Sequence, residues 1–183
     1  MKRIVHSGGA QGADSLFAEI FYQYNYDIIH HSFNNHNIKS KVGTIVRHLD
    51  SELYQEENKN TLTSICEYLN RNYPKQSYIE KLLLRNIYQV NKTKLILGVG
   101  NIENFNQCIV KGGTGYAIGY AVIYNIPIVF YDQLTNQWYY SYNSNMFKKL
   151  NRKPNLFNFP NIFTAIGSRD LTNQAINEIT TVF

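Results

Sequence analysis

Apolar residues along this chain recur at two spacings, one typical of helices and one typical of strands. Where they return every three to four residues, one face of a helix is buried. That spacing predicts helices at residues 12–24, 61–72, 77–91 and 171–181, and a glycine-led helix from about residue 116 to 124. Short runs rich in β-branched residues predict strands at residues 2–6, 27–30, 94–99, 126–131 and 162–166, with an edge strand or hairpin arm at 138–140.

Strands and helices alternate along most of the sequence, and this order indicates a fold. Strand–helix–strand units place their strands parallel in one sheet and their helices across its faces. We therefore expect an α/β fold, a Rossmann-like open parallel sheet with helices on both faces. The 183 residues suit a single domain, residues 1–183, with insertions around residues 32–75 and 133–158.

Composition narrows the class of protein further. Hydrophobic residues make up 44% of the chain and charged residues 17%, which excludes a disordered chain and a coiled coil. A run of about 18 apolar residues is missing, so no membrane partner is expected. The apolar stretch that follows Met1 is too short for a secretory signal. Because Cys66 and Cys108 lie far apart without metal-ligand spacing, the sequence predicts a cytoplasmic protein.

The charge balance suits an anionic partner, either a nucleotide or a nucleic acid, and the distribution of the basic residues disfavours the latter. Eighteen basic and 13 acidic residues give a net charge of +5, a field that suits an anion. The basic residues are scattered, and the densest group is Lys148, Lys149, Arg152 and Lys153. We interpret that group as a solvated loop, so binding of a nucleic acid is not expected.

Three predicted strand-to-helix turns are rich in glycine and form the candidate ligand site. A parallel sheet gathers such turns at the carboxyl edge of its strands, and the helix after each turn directs free N–H groups and a positive dipole end towards a ligand there. Glycine also lets the backbone approach a phosphate closely. The candidate residues are Ser7, Gly8, Gly9, Ala10 and Gln11 in the first turn, Gly112, Gly113, Thr114 and Gly115 in the second, and Gly167, Ser168 and Arg169 in the third.

These turns lack the sequences of the common nucleotide-binding loops. No Gly-Lys-Ser/Thr follows any of them, which disfavours a kinase or ATPase, and the missing Gly-x-Gly-x-x-Gly fingerprint disfavours ordinary NAD binding. We therefore expect no cofactor. A metal is not expected either, because His30, His31 and His36 have no neighbouring carboxylate or cysteine to complete a site. Ser7 lacks a His–Asp pair to activate it as a nucleophile and is interpreted as a turn residue.

The charged residues near the turns each have two interpretations. Asp14 stands in the first turn of a helix, where the dipole stabilises a carboxylate with or without a ligand. Arg169 follows Gly-Ser at a helix start, an unfavourable place for a cation, so phosphate binding is favoured there. Arg85 either binds an anion or forms a surface salt bridge, and Asp132 either accepts a ribose hydroxyl or caps a turn. The uncharged residues that bond either a ligand or their own backbone are Gln11 and Thr114.

The sequence of the first turn resembles a known motif. Residues 7–14, Ser-Gly-Gly-Ala-Gln-Gly-Ala-Asp, resemble the Ser-Gly-Gly-Ala-x-Gly-Ala-Asp motif of the SLOG superfamily of Rossmann-like nucleotide-binding proteins. That group includes the DNA-processing A proteins and the lonely-guy phosphoribohydrolases, which cleave nucleoside monophosphates. Arg85, the strand at 94–99 and the turn at 112–115 are similar to the run of the phosphoribohydrolases that ends in Gly-Gly-x-Gly-Thr-x-x-Glu. The Gly-Ser-Arg at 167–169 resembles a turn on the first strand of many SLOG proteins.

Two departures from the SLOG pattern bear on function. The Gly-Ser-Arg strand comes last here, an order similar to that of circularly permuted SLOG-like proteins of phages and mobile elements. Aligning residues 112–115 with the hydrolase motif places Tyr116 at its threonine and Gly119 at its catalytic glutamate. Glycosidic cleavage needs a carboxylate, so the resemblance implies anion binding at Arg85 without catalysis. Carboxylates elsewhere that could substitute are Asp14, Glu19 and Asp132.

The resemblance implies a function as well as a fold. Some SLOG domains in bacterial defence sense cyclic ADP-ribose-like signals, so a phage protein of this kind would bind such a nucleotide-derived small molecule in the host cytoplasm without turning it over, as an anti-defence sponge. An N-glycosidase or phosphoribohydrolase acting on nucleotides is the alternative. Single-stranded DNA binding is a third function, which the net charge of only +5 disfavours. Related SLOG proteins are often dimers or larger, so a homo-oligomer is expected.

Overall fold

The computed structural model describes residues 2–75 and 77–183, and it shows an α/β fold built on one large sheet. The strands are β1 (Ile4–Ser7), β2 (Asp27–Phe33), β3 (Thr44–His48), β4 (Ile96–Gly100), β5 (Ile102–Asn104), β6 (Ile109–Val110), β7 (Ile128–Asp132), β8 (Gln137–Ser141), β9 (Lys148–Lys149) and β10 (Ile162–Gly167). The helices are α1 (Ala13–Gln23), α2 (Asp50–Leu53), α3 (Glu56–Tyr68), α4 (Ser77–Val90), α5 (Gly112–Ile123) and α6 (Asn173–Val182). Short 3₁₀ helices lie at Phe105–Gln107 and Leu156–Asn158.

The main sheet has eight strands in the order β3-β2-β1-β10-β4-β7-β8-β9. The strands from β3 to β7 pair in parallel, and β8 and β9 extend the sheet as antiparallel arms. Strands β5 and β6 form a separate small antiparallel pair. The predicted α/β class and Rossmann-like open parallel sheet are therefore confirmed.

Strand β10, which follows the other strands in the sequence, lies in the middle of the sheet. Ile162 of β10 pairs with Ile4 of β1, and Thr164 of β10 pairs with Ile96 of β4. From this centre the chain runs outward through β1, β2 and β3 on one side, and through β4 and β7 on the other. The order of the strands thus reverses at β10, and in open parallel sheets such a reversal opens a crevice at the carboxyl edge.

Helices cover both faces of the sheet, and each face has its own apolar core. On one face Phe17 and Phe21 of α1 pack with Phe163 of β10 and Ile179 of α6. On the other face α3, α4 and α5 bury a larger cluster that includes Leu84. The alternation of strands and helices in the sequence predicted this two-sided covering. Among the described residues, no helix has both the length and the apolar character needed to cross a bilayer.

The segment at residues 32–75 contains more regular structure than its sequence pattern predicts. Strand β2 continues to Phe33, and β3 pairs in parallel with it. The β3 side chains are exposed except for half-buried His48, so the alternating burial that reveals a strand in a sequence is missing. Helix α3 begins at Glu56 rather than at residue 61, because its first turns are polar and show no apolar spacing. At the other edge, Lys148 and Lys149 form the exposed strand β9 instead of a loop.

All five histidines lie in or near β1, β2 and β3, and burial favours their neutral form. Nδ1 of His6 lies 2.9 Å from Nε2 of His31, and Nδ1 of His31 lies 3.0 Å from Nε2 of His48. A neutral imidazole has one donor and one acceptor, so His31 completes both bonds when it is uncharged. Burial lowers the pKa of every histidine ring, to about 3 for His31 and to about 4 for His36. These rings therefore resist protonation in the folded state.

We predict that mild acid destabilises the fold through these histidines. Each ring has a folded-state pKa below its ordinary 6.5, so stability present above pH 6.5 is lost as the pH falls through 6.5 towards the folded values. Asp14 acts in the opposite direction, because burial raises its folded pKa to about 6. Since several histidines outweigh one carboxyl, the free energy of unfolding should fall by ~2 kcal/mol or more between pH 7 and pH 5.

Urea titrations at the two pH values measure this change. The variant His36→Asn should lose less stability on acidification than the natural chain, because one ring no longer takes up a proton on unfolding. An equal free energy of unfolding at pH 7 and pH 5 would contradict the prediction.

Candidate functional site

A cleft of about 800 Å³ lies at the carboxyl edge of the sheet, where β1, β10 and β4 end. All three predicted glycine-rich turns contribute to its lining. Their lining residues are Ala10 and Gln11 from the first turn, Gly112, Gly113 and Thr114 from the second, and Gly167, Ser168 and Arg169 from the third. Helix α4 and the loop between β2 and β3 supply the opposite wall. Turns far apart in the sequence thus share one cleft at the strand-order reversal.

The first and third turns pack backbone against backbone at Gly12. A Cβ added to Gly12 would overlap the carbonyl oxygen of Arg169, and the residue takes a φ of +91°. Beside it, the Ala13 N–H donates to the carbonyl of Ser168 over 3.1 Å. Only glycine combines this φ with so close an approach. The contact fixes the start of α1 against the end of β10.

Asp14 joins the same two turns from inside the cleft. Its side chain is 4% exposed, and Oδ1 accepts a hydrogen bond from the Gly167 N–H over 3.2 Å. Burial raises the pKa of Asp14 to about 6, against the Arg85 charge and the N–H groups of Gly167, Ala10 and Gly8, which lower it. Of the two interpretations left by the sequence, the structure gives Asp14 a bracing role between turns. It also places this carboxylate in the cleft lining.

Arg85 reaches the cleft from α4 and is buried rather than on the surface. Its side chain is 4% exposed, and a Cβ on Gly8 would overlap its Nη1. That nitrogen donates to Oε1 of Gln89 over 2.7 Å, and Nε2 of Gln89 in turn donates to the carbonyl of Ala165 over 3.2 Å. Burial lowers the pKa of Arg85, while the Asp14 carboxylate raises it. Within residues 2–75 and 77–183 no carboxylate lies within ion-pair distance of the guanidinium, so the salt-bridge interpretation does not apply.

Three buried side-chain atoms of the described chain have no hydrogen-bond partner, and all lie at this end of the molecule. They are Nε of Arg85, Oδ1 of Asn101 and Nδ1 of His30. Arg85 and Asn101 line the cleft, and the His30 nitrogen faces Gly9 in the first turn. A buried polar atom without a partner costs about 1–3 kcal/mol, so such atoms are normally satisfied by water or a ligand.

The second turn is the first turn of α5 itself. The helix begins at Gly112, which has a φ of +71°, and not near residue 116 as predicted. Apart from chain neighbours and the helix's own backbone, no described atom lies within 4 Å of where a Cβ on Gly112 or Gly113 would be. The start of the helix is therefore uncovered, and its first N–H groups have no partner within the helix. The helix-capping position belongs to Lys111, whose side chain accepts no hydrogen bond from the described part of the helix. These open N–H groups and the helix dipole favour an anion.

Arg71 holds this helix start in place, a contact that the sequence did not indicate. Its Nη1 donates to the carbonyl of Gly112 over 3.0 Å, and its Nη2 donates to the carbonyl of Val110 over 2.8 Å. Glu103 pairs with the same guanidinium over 3.1 Å. Because Arg71 precedes the turn by some forty positions, no local pattern could reveal it.

Cations predominate around the cleft. The lining cations are Lys39, Arg85, Lys111 and Arg169, and the lining carboxylates are Asp14 and Asp170. Sequence reasoning missed Lys39 and Lys111. Lys111 directly precedes the glycine turn, which was an available signal, whereas Lys39 comes close only because its N–H donates to the Gly9 carbonyl over 2.7 Å. The side chain of Arg169 is exposed and forms no hydrogen bond or ion pair with the described residues.

Some predicted site residues support the cleft without lining it. Ser7 is a turn residue, since its Oγ accepts from the Gly9 N–H over 3.0 Å. The position of a Cβ on Gly9 faces Ile38 and His30, so this glycine accommodates the neighbouring loop. Gly8 lies beneath Arg85 and Asp14. A Cβ on Gly115 would overlap the Val110 carbonyl, so this glycine packs on β6.

Asp132 also lies outside the lining and caps a turn. Its Oδ1 accepts from the Ile102 N–H over 2.8 Å. Its Oδ2 accepts from the N–H and the hydroxyl of Thr135, over 3.0 Å and 2.7 Å. Both carboxylate oxygens are therefore engaged by the chain, and the turn-capping interpretation describes this residue.

Gly119, the position aligned with the hydrolase glutamate, faces away from the cleft. A Cβ there would meet Ile65 Cγ2 at 3.2 Å and Leu69 at 3.5 Å, both from the α3 region. The α5 face that carries residue 119 is thus covered by apolar side chains. A carboxylate at this position would be buried against them and not presented to a ligand.

Neither metal ligation nor similarity to known proteins adds to this description. Among the described residues, no group of three or more His, Cys, Asp or Glu side chains could hold a metal ion. Comparison of the chain with protein-family models, with curated proteins and with solved structures finds no match.

We predict that Gly119→Glu destabilises the protein and creates no hydrolase. The new carboxylate would be buried between α5 and α3 without a partner, so the free energy of unfolding should fall by ~3 kcal/mol or more. Gly119→Ala is the matched control, and its change should stay within ~1 kcal/mol because one methyl group needs only a small shift of Ile65. Urea titrations of the three proteins measure both values, and a stable Gly119→Glu protein that hydrolyses AMP would refute the assignment.

Proposed function

We propose that this chain binds a nucleotide-derived small molecule in the cleft through its phosphate and does not turn it over. The observation that carries the proposal is the state of Arg85. Its guanidinium is buried, lines the cleft, and has an Nε without a partner among the described residues. Asp14 lies beside this guanidinium but forms no ion pair with it among the described contacts, so an anionic ligand would add compensating charge and supply the missing acceptor.

A phosphate suits the surroundings of Arg85 better than a carboxylate does. Asn86, the next residue on α4, donates to the carbonyl of Gly113 over 3.4 Å, so Arg85 lies close to the open start of α5. Lys111 and Arg169 line the same cleft. A phosphate has several acceptor oxygens, so it can accept hydrogen bonds from helix N–H groups and from guanidinium groups at the same time. The cleft volume of about 800 Å³ is in the range typical of small-molecule sites.

The placement of the carboxylates supports binding without turnover. Position 119 carries no carboxylate and faces α3. The lining carboxylates are Asp14, which accepts from the Gly167 N–H, and the exposed Asp170. A carboxylate engaged by its own backbone is a poor activator of water. The lining thus offers strong anion binding with little support for general acid–base chemistry.

The SLOG resemblance makes the proposal more specific. Strand β10, with its Gly-Ser-Arg turn, lies beside β1 and its Ser-Gly-Gly-Ala turn, and this adjacency supports the proposal of a circularly permuted SLOG order. On this basis the ligand would be a cyclic ADP-ribose-like signal and the protein a sponge that removes it. Stoichiometric removal requires a Kd below the concentration of the signal.

An N-glycosidase is the alternative function, and Asp14 is the observation that favours it. Burial raises the pKa of Asp14 to about 6, a value suited to a general acid near neutral pH. The carboxylate also lies beside Arg85 in the cleft. Analysis of the ligand after incubation with the protein separates this alternative from simple binding.

We predict that Arg169→Ala and Arg85→Ala each weaken binding of a nucleotide by ~1.5–3 kcal/mol, because charge-assisted hydrogen bonds to the phosphate are lost. Isothermal titration calorimetry with the four ribonucleoside 5′-monophosphates, NAD and cyclic ADP-ribose measures the affinities. Arg169 is exposed, so its variant should fold normally. Arg152→Ala removes an exposed cation outside the lining and is the matched control.

Chromatography of the ligand recovered after heat denaturation completes the test. Intact ligand supports the binding function, and free base or ribose phosphate supports the glycosidase. Unchanged affinity in both arginine variants would show that the ligand binds elsewhere.

A further inference from the structure

The cleft has a second wall that differs chemically from the phosphate end. It is formed by the first half of α4 and the loop between β2 and β3. Its apolar and aromatic members are Tyr78, Ile79, Leu82, Leu83 and His36. A phosphate is bound by charged and polar donors, so an apolar and aromatic wall must serve another part of the ligand.

The helical spacing of α4 places this wall in line with Arg85. Tyr78, Leu82 and Arg85 follow one another at intervals of four and three residues, which puts them on one face of the helix. At 1.5 Å per residue, the backbone of Tyr78 lies about 10 Å from that of Arg85 along the axis. The sugar of a nucleotide joins its phosphate to its base over a span of this order. The two ends of the wall therefore suit the two ends of one nucleotide.

Tyr78 is exposed yet supported from behind. Its side chain is 48% exposed, and that of the neighbouring Ile79 is 43% exposed, although both line the cleft. The Tyr78 ring meets the ring of Phe33 edge-on, with centroids 5.6 Å apart at 66°. Phe33 is fully buried and stacks on His36 at 5.1 Å. An exposed ring held in place by a buried one offers a flat face at little cost in entropy.

Asn101 indicates that the ligand carries a hydrogen-bond donor as well as an anion. Its buried Oδ1 is an acceptor without a partner in the described chain, and an ionised phosphate has no hydrogen to give it. The backbone carbonyl of Asn101 accepts from the Lys111 N–H over 2.9 Å, which places this residue beside the start of α5. A hydroxyl of the sugar next to the phosphate would satisfy this atom. Inorganic phosphate alone would leave it unpaired.

From this arrangement we infer that Tyr78 forms a stacking subsite for the base of a nucleotide whose phosphate lies between Arg85 and the start of α5. The inference rests on the proposed function and states which part of the ligand the second wall of the same cleft recognises. Tyr78 is then the residue that distinguishes a nucleotide from a sugar phosphate. Stacking on a tyrosine accepts any planar base, so selectivity among bases comes from other contacts.

The test compares each nucleotide with ribose 5-phosphate, which has the sugar and the phosphate without the base. The probes are the four ribonucleoside 5′-monophosphates, NAD and cyclic ADP-ribose, with affinities from isothermal titration calorimetry. The natural chain should bind its best nucleotide at least about 10-fold more tightly than ribose 5-phosphate. Tyr78→Ala should remove most of this difference and leave the affinity for ribose 5-phosphate unchanged.

Matched variants separate stacking from other effects of the substitution. Tyr78→Phe keeps the ring and should bind the nucleotide within about two-fold of the natural chain. Tyr142→Ala removes a tyrosine that is 59% exposed outside the cleft and should change nothing. Circular dichroism confirms that each variant is folded.

The possible outcomes are distinguishable. If ribose 5-phosphate binds as tightly as the best nucleotide, or if Tyr78→Ala binds like the natural chain, the stacking subsite is refuted while the phosphate site stands. If neither ribose 5-phosphate nor any nucleotide binds the natural chain, the proposed function itself fails.

Discussion

The close approach of two glycine turns at the centre of the sheet is the constraint on which the site depends. At Gly12 the backbone that enters α1 touches the backbone that leaves β10, and a side chain of any size would separate them. Asp14 then accepts from the Gly167 N–H across the same junction. The contact at Gly12 joins main chain to main chain, and the short, buried side chain of Asp14 adds a second link between the same two turns.

The position and orientation of the Arg85 guanidinium are set by these turns and by the sheet beneath them. The missing side chain of Gly8 leaves the space that its guanidinium occupies. Gln89 bonds both Arg85 and the Ala165 carbonyl of β10, so the orientation of the arginine is set by the central strand. A long side chain that would normally be mobile is thus ordered in advance, and a ligand would not have to order it. The cost of that order is a buried charge with an unsatisfied nitrogen.

The sequence predicted the glycine turns of the site and, from the wall formed by α4 and the loop between β2 and β3, Arg85 alone. A glycine turn such as that at residues 7–12 can be predicted locally, because the glycines that form the turn are visible in the sequence. The topology of a parallel sheet then places such turns at one edge. Lys39, Tyr78 and Arg71 carry no such signal. Lys39 approaches only through its bond to the Gly9 carbonyl, and Arg71 acts on a helix start far along the chain. Contacts of this kind arise from tertiary packing, which a single sequence does not encode locally.

The same difference explains the errors in the fold. The sequence does not predict strand β3, because β3 is an edge strand with exposed side chains on both faces. It therefore lacks the alternation of apolar and polar residues that reveals a strand. Helix α5 was started too late because glycines are poor helix formers, and here the helix begins in them. At Gly119 the sequence indicates only that the catalytic carboxylate of the hydrolase motif is missing. Its contact with Ile65 shows that the whole face of α5 is committed to packing.

The central position of β10 has a consequence for how the protein is made. During translation, β1 and β4 leave the ribosome long before their shared neighbour, since Ile4 and Ile96 both await partners in residues 162–167. A nascent chain that had already paired β1 with β2 and β4 with β7 would hold two half-sheets, each with an edge strand that still lacks its neighbour. Such edges attract strands of other molecules and are where misassembly begins. Late insertion of this strand would therefore close the sheet and form the cleft at its carboxyl edge in a single step.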